Sequence, residues 1–460
     1  MLINSLWPNK IKEVAGGGDI ISGEAKYLAI PANSALSTIP AGMINDFPDL
    51  EELYIPSTVG SMNKKAIQNC PKLAKIVVAK KSKKLKNYPW GAPATCEIVW
   101  DVSAQPKQED VAPDVIEEFQ PSPVIVPQTT STPEPENYRH AMLKLIQDIR
   151  DYANKRNYAG FQLINNGGVA IFAADSSHNW TEEHTAALGQ TVDAVAVEDV
   201  FYGTDKNWDI ADDQETPAEY TQDFISYMEI AKKLGARPIV IDYCSTPEKI
   251  KKSFEECAKL GYGDFVATDR NLTTIPDYNF EHNTKSCYNM NDIKNFLVLL
   301  NGENFVTKDN YLNSLANTWY DCLIIDLEFN SQPLQWKDIK RLRYKPDGTR
   351  RLVIAYLSLG EAEVYRSYWD DDWSNYKPDS DDTSSPNYLA WKSAVSYCDW
   401  ISGPNKDWAG NFKVKYWTDE WKKVLFGTDN STIDLIMRAN FDGIFMDVID
   451  AYEYFENKKK

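Results

Sequence analysis

Acidic residues recur at one kind of place in this chain, and they are the residues best able to do chemistry. Glu198, Asp242, Asp269, Asp326 and Asp447 each close a short apolar run, and Glu361 and Glu363 closely follow another. The clearest case is FDGIFMDVID, 441–450, in which Gly443, Ile444, Phe445 and Met446 leave no polar face and so read as a strand buried on both sides. A carboxylate directly after such a strand stands where parallel barrels keep their chemistry, on the rim where strands give way to loops. A single one would serve equally well to cap the following turn; this many on one rim read as a site. Two carboxylates flanking a glycosidic bond supply the acid and the nucleophile or base that sugar hydrolysis needs. Trp180, Trp208, Trp369, Trp400, Trp408 and Trp417 offer faces on which pyranose rings can stack, or else pack the loops. The rival chemistry is a hard-cation site. DDDW at 370–373 and DSDD at 379–382 lack the Gly and terminal Glu of a calcium loop and read as solvated acidic loops, so neither metal nor cofactor is expected.

The elements that would position these acids alternate from Tyr138 onward. The segment 138–156 sets Met142, Leu145, Ile146 and Ile149 on one face and predicts an amphipathic helix. Strands are expected at 160–165, 194–198, 238–243, 264–269, 296–300, 321–326, 352–358 and 443–447, with helices between most of them, for example at 219–234 and 247–260. Eight such repeats in 137–460 indicate an α/β fold of the (β/α)8 TIM-barrel type. VKYW at 414–417 reads as a loop lining the cleft rather than a ninth strand.

Ahead of the barrel lies different material. Leu28-x-Ile30-Pro31, Leu53-x-Ile55-Pro56, Ile76-x-Val78 and Ile98-x-Trp100 recur at spacings in the twenties, and FPDL at 47–50 returns as CPKL at 70–73. Such a period predicts a small β-rich leucine-rich-repeat solenoid over 1–100, with an irregular β-sandwich as the alternative. Residues 101–136 carry Pro106, Pro113, Pro121, Pro123, Pro127, Pro133 and Pro135 among polar residues and read as a spacer between domains.

Composition narrows the partners. The net charge is −18, and residues 1–100 hold 12 Lys against 8 acidic residues, so the remainder is more acidic still at −22. Nucleic acid is therefore not an expected partner. Seven scattered cysteines without a CxxC pair argue against a disulfide framework or zinc site, and four histidines without HExxH give a histidine-rich metal site little support. No stretch approaches 18 consecutive apolar residues, so no transmembrane segment is expected. The opening MLINSLWPNK lacks the basic and apolar regions of a secretory signal, which implies either a cytoplasmic protein or a leader already removed.

The strings IIDLEF, IAYLSLGEAEVYRSYW, VKYWTDEW and FDGIFMDVIDAYEYF resemble the core motifs of glycoside hydrolase family 114, the endo-α-1,4-polygalactosaminidase-like barrels. The resemblance extends to NNGG at 165–168, VDAVAVEDVFYG and GARPIVIDYC, but these precede the FDG strand here and follow it in the family. The barrel thus looks circularly permuted, a change a closed barrel tolerates because its first and last strands lie side by side. The resemblance implies Asp447 as nucleophile and Glu198 as acid/base of a retaining endo-hydrolase acting on α-1,4-linked galactosaminan-like polymer. Barrel closure would leave one strand, 160–165, between the pair. Alternation turns the competing Asp199 to the opposite face. Asn166, Asp242, Asp326, Glu361, Glu363 and Asp450 are candidates for binding sugar hydroxyls or an ammonium. Tyr202, Tyr243, Tyr365 and Trp369 are candidates for stacking or hydroxyl contacts, and Arg366 is expected to orient one of the acids. The first hundred residues resemble the BspA-type leucine-rich repeats of bacterial surface proteins, which implies a secreted or surface-exposed protein whose repeats contact a surface glycan or protein. The alternative to an enzyme is a glycan-binding adhesin built on an enzyme-like barrel.

Overall fold

The computed structural model describes residues 11–14, 18–21, 27–30, 38–39, 41–45, 47–81, 84–104, 132–156, 158, 160–376 and 394–458. Most of the Pro-rich stretch and the DSDD segment lie outside them. The described residues fall into two compact units, one within Met1–Val115 (with Asn154–Ala159) and one within Ile116–Ala153 and Gly160–Lys460.

In the first unit β1 (Ile11–Val14) and β2 (Gly18–Ile21) pair antiparallel, and short parallel ladders follow. Strands β3 (Tyr27–Ala29), β6 (Glu52–Ile55), β9 (Lys75–Val78) and β10 (Glu97–Trp100) form one sheet. Leu28 lies opposite Leu53, Leu53 opposite Ile76, and Ile76 opposite Ile98, the register that the sequence spacing demands. A like offset recurs between β4 (Thr38–Ile39) and β7 (Ser61–Met62), and between β5 (Ile44–Asn45) and β8 (Ile67–Gln68). Equivalent side chains therefore stack. Phe47 and Cys70, 23 positions apart, and Leu50 and Leu73, likewise 23 apart, are all buried in one core.

The second unit holds an eight-stranded parallel sheet flanked by helices. Its strands are β11 (Gln162–Asn166), β12 (Ala194–Glu198), β15 (Arg237–Tyr243), β16 (Gly263–Ala267), β17 (Leu297–Leu299), β18 (Cys322–Ile325), β21 (Leu352–Ser358) and β25 (Gly443–Asp447). Between them in the chain come the hairpins β13 (Tyr202–Thr204) with β14 (Ile210–Glu215) and β19 (Glu328–Phe329) with β20 (Gln332–Pro333). The order around the sheet is β16-β15-β12-β11-β25-β21-β18-β17. β11 pairs with β25, so the first and last strands of the unit are neighbours, with Leu163 opposite Ile444. This contact requires Gly443, since a Cβ there would meet the Gln162 carbonyl oxygen at 2.2 Å.

The barrel is nearly closed. Across the seam, β16 meets β17 through an isolated bridge between Asp264 and Asn295. Above it the Val266 N–H donates to the Tyr278 hydroxyl (3.2 Å), which donates back to the Val266 carbonyl (2.8 Å). A side chain thus satisfies a backbone pair that a further ladder bond would have used. At the opposite end from the rim, an aspartate before each of three strands ties its neighbour. Asp193 accepts from Leu163 N, Asp321 from Lys294 N and Asp442 from Val353 N, and they pair with Arg150, Lys345 and Arg343 respectively.

Helix α1 (Tyr138–Lys155) buries Met142, Leu145, Ile146 and Ile149 as its periodicity requires. Helices α2 (Glu182–Thr191), α3 (Ala218–Leu234) and α4 (Pro247–Leu260) follow in alternation with strands. Pro247 opens α4 and Gly261, at φ 71°, closes it. The VKYW segment departs from expectation. Val414 ends β24 (Asn411–Val414), the middle strand of a small antiparallel sheet with β22 (Glu361–Glu363) and β23 (Ile401–Pro404). Tyr416 and Trp417 are buried, and the Tyr416 hydroxyl donates to the Tyr138 carbonyl (2.8 Å), so they seal α1 rather than line a cleft.

Candidate active site

Three adjacent strands deliver the central side chains. Glu198 ends β12, Asn166 ends β11 and Asp447 ends β25, so the asparagine stands between the two carboxylates. Its amide nitrogen donates to Glu198 Oε1 (3.2 Å) and to Asp447 Oδ1 (2.9 Å). The next strands outward add a phenol to each acid. Tyr243 at the end of β15 donates to Glu198 Oε2 (2.6 Å), and Tyr356 of β21 donates to Asp447 Oδ2 (2.8 Å). Buried phenols beside a carboxylate keep their protons, and the cause is visible here: burial first, then the neighbouring negative charge, pushes both Tyr243 and Tyr356 well above the ordinary tyrosine value. Burial, and then the charge of Glu198, likewise raises Asp447, against the donors Tyr356 and Asn166 and the Val448 N–H.

The backbone is strained where the carboxylates emerge. Asp199 and Val448, the residues directly after Glu198 and Asp447, both take left-handed conformations, at φ 59° and 57°. For a β-branched residue such as Val448 this conformation is a genuine outlier, of a kind that concentrates at functional sites. Each turn has a glycine built against it. A Cβ at Gly360 would meet the Val448 carbonyl oxygen at 2.6 Å, and one at Gly203 would meet Asp199 Oδ1 at 1.8 Å. The Val448 N–H in turn donates to Asp447 Oδ1 (2.9 Å), so the strained turn helps to fix the carboxylate it follows.

A second cluster flanks Asp447. Arg366 donates from Nη1 to both oxygens of Asp326 (2.7 Å each) and from Nε to Glu363 Oε2 (2.7 Å), while the Tyr365 hydroxyl donates to Glu363 Oε1 (2.6 Å). Arg366 thus bridges two acids, where one was expected. The ring of Tyr365 remains about half exposed, and Asp450 is open to solvent beside Gly167 and Gly168. Crowding by surrounding protein, then the charge of Asp447, pushes the Asp450 carboxyl up to about 6.

Other expected site residues lie elsewhere. Asp242 alternates outward from Tyr243, is fully buried, and accepts from Phe201 N (2.9 Å), Tyr202 N (3.3 Å) and Ser253 Oγ (2.6 Å) beneath α4. Burial pushes it up to about 7. Tyr202 is buried with Cys244, Ile250 and Val266. Glu361 is buried and held by Asn405, Asn411 and Lys413. Trp369 stacks on buried Phe412 and meets Trp373 edge-on, so it offers no open face. Asp269 caps its own loop through Asn271 N and Thr273 N. Of the six tryptophans proposed as platforms, Trp180, Trp369, Trp400 and Trp417 are buried, whereas Trp208 and Trp408 are 55% and 61% exposed.

Tyr356 had not been singled out, although alternation along 352–358 places it on the face of β21 shared with Ser358, opposite Asp447 in register. Arg270 carried no local signal at all. Among the described residues no cluster of His, Cys, Asp and Glu is arranged to hold a metal ion, and no helix is long and apolar enough to cross a membrane.

No family model matches the chain. It is 27% identical over 205 residues to an uncharacterized protein of Methanocaldococcus jannaschii, a match spanning 43% of this chain and 51% of that one. It is 30% identical over 147 residues to an uncharacterized protein of Deinococcus radiodurans, spanning 32% and 39%, and 30% identical over 118 residues to one of Thermotoga maritima, spanning 24% and 29%. The chain therefore spans about half or less of the length of each of these curated relatives.

Proposed function

We propose that the second unit is a retaining glycoside hydrolase that cleaves within α-1,4-linked galactosaminan-like polymer. The observation that carries this reading is the Asn166 amide shared by Glu198 and Asp447. The two oxygens it binds lie no farther apart than its two hydrogen bonds laid end to end, about 6 Å. That ceiling accommodates the roughly 5–5.5 Å at which retaining enzymes set their two carboxyl groups. In this mechanism Glu198 gives its proton to the leaving glycosidic oxygen as an Asp447 oxygen attacks the anomeric carbon. Water then releases the sugar, giving a proton to Glu198 and its hydroxyl to the anomeric carbon. The acids Asp326 and Asp450 and the ring of Tyr365 supply the polymer contacts, and the acidic rim suits the ammonium of a deacetylated unit.

We propose further that the barrel is a circular permutation, a rearrangement that the β11–β25 pairing permits. The first unit is read as a leucine-rich solenoid, supported by its ladders of near-constant offset, in a secreted or surface-exposed protein. The deciding experiment measures product release from acetylated and deacetylated α-1,4-galactosaminan by wild type and by folded Asp447→Asn and Glu198→Gln. Cleavage by wild type that is lost in both variants supports the hydrolase. Binding without cleavage by wild type replaces it with the adhesin.

A further inference from the structure

The two carboxylates are furnished alike on either side of Asn166. Each receives a tyrosine hydroxyl from the neighbouring strand, and each tyrosine has an arginine near its ring. The two sides differ in how closely the arginine sits. The Arg366 guanidinium carbon lies 5.7 Å from the Tyr356 ring centroid, whereas that of Arg270 lies 3.7 Å from the Tyr243 centroid, in face contact. Arg270 is also fixed on every side. Its Nη2 donates to Asp199 Oδ1 (2.8 Å) and to the Gly203 carbonyl (2.9 Å), its Nη1 to Asp199 Oδ2 (3.3 Å), and its Nε to Asp212 on β14 (2.5 Å). One side chain from the loop after β16 thereby ties down the left-handed turn after Glu198, the β13–β14 hairpin and the ring that donates to Glu198.

We infer that Arg270 is a positioning residue for Glu198 and acts through Tyr243, without touching the carboxylate itself. The inference rests on the proposed role of Glu198 as acid/base. A cation over an aromatic face is attracted to the ring and draws its electron density. The hydroxyl at the edge of that ring becomes a stronger donor, and a stronger donor favours the charged form of its acceptor. An acid/base residue changes protonation state twice in each turnover, so the donor that fixes its orientation must stay in place through both changes. The Asp199–Arg270 fork holds the ring's partner in place, so the bond to Glu198 keeps its direction while the proton moves.

The test is a double-mutant cycle read by carbon NMR on protein labelled at the Glu side-chain carboxyls, with the Glu198 signal assigned by its disappearance in Glu198→Gln. Tyr243→Phe and Arg270→Gln are each expected to raise the Glu198 titration midpoint by about 0.5–1 unit. The double variant is expected to move it no farther than Tyr243→Phe alone, since the arginine acts through the missing hydroxyl. An unmoved midpoint in Arg270→Gln overturns the inference, and so does a shift in the double variant equal to both single shifts together, which would mean direct action through space. If Arg270→Gln does not fold, Arg270→Met, which keeps an unbranched side chain over the ring but removes the charge, is held to the same criterion. The cycle needs no substrate. A wild type that cleaves no polymer while the cycle holds removes the hydrolase reading alone, and a cleaving wild type with additive shifts removes this inference alone.

Discussion

Asn166 is the residue on which the two-carboxylate reading turns, because a single amide holds the two carboxyl groups side by side. Asn166→Ala leaves Glu198 Oε1 without this donor and Asp447 Oδ1 with only the Val448 N–H. Hydrogen bonds to charged groups contribute enough that kcat/KM on the cleaved polymer is expected to fall on the order of 10- to 100-fold. Tyr356→Phe is a finer probe. The phenol lowers Asp447 toward its ordinary value, so its loss lets burial and Glu198 raise that carboxyl further. Asp447 must be ionised to attack, and the acidic limb of the pH–rate profile is therefore expected to move up, by about half a unit to one unit. A limb that stays in place would mean that Asp447 is not the group it reports.

At the scale of the element, the strained turns and the buried outer face of the barrel make separate predictions. Gly360→Ala drives a Cβ to within 2.6 Å of the Val448 carbonyl and 2.5 Å of the Ala451 Cβ. The turn after Asp447 must then shift, and activity is expected to fall with little change in far-ultraviolet circular dichroism. Asp242 belongs to the folded wall rather than the rim. Its carboxyl lies at about 7 in the folded protein against an ordinary 3.8, so the folded state binds the proton more tightly than the unfolded one. Its contribution is complete below 3.8 and is lost as pH rises to about 7. Asp242→Asn keeps an acceptor for Phe201 and Tyr202 and cannot ionise. It is expected to match wild type in thermal stability at acid pH and to exceed it above neutrality, which a pair of melting curves at the two pH values will check.

For the molecule as a whole, the weak line is the seam between β16 and β17, where an isolated bridge and the Tyr278 hydroxyl stand in for a ladder. Tyr278→Phe leaves the Val266 N–H and C=O without that partner, at a cost of about 1–3 kcal/mol. Amide exchange is expected to accelerate first along β16, before the strands around β11 and β25, and uniform exchange would show that the seam is no weaker than the rest. The opposite end is guarded differently. Asp193, Asp321 and Asp442 each tie a neighbouring backbone amide to a basic side chain.

How much of this was legible before the fold is clearest at particular residues. Apolar runs bounded by polar residues were sufficient for the eight barrel strands, because a strand buried on both faces has nowhere to put a polar side chain. The recurrence of Leu28, Leu53, Ile76 and Ile98 was sufficient for one ladder of the first unit, because a residue's register partner there lies 22 to 25 positions away. The sequence by itself thus determined the strands, their parallel order and the ends from which Glu198 and Asp447 project. It did not determine which strand-end acids meet. Asp242 and Asp447 look alike as strings, yet pleating sends one beneath α4 and the other onto the rim. Nor could it join Arg270 to Tyr243, or Asn166 to both carboxylates, since those contacts span 27, 32 and 281 positions and exist only once the sheet curls and its first and last strands meet. Local patterning is a property of neighbours in the chain, and the site is a property of neighbours in space; closure of the barrel converts the one into the other.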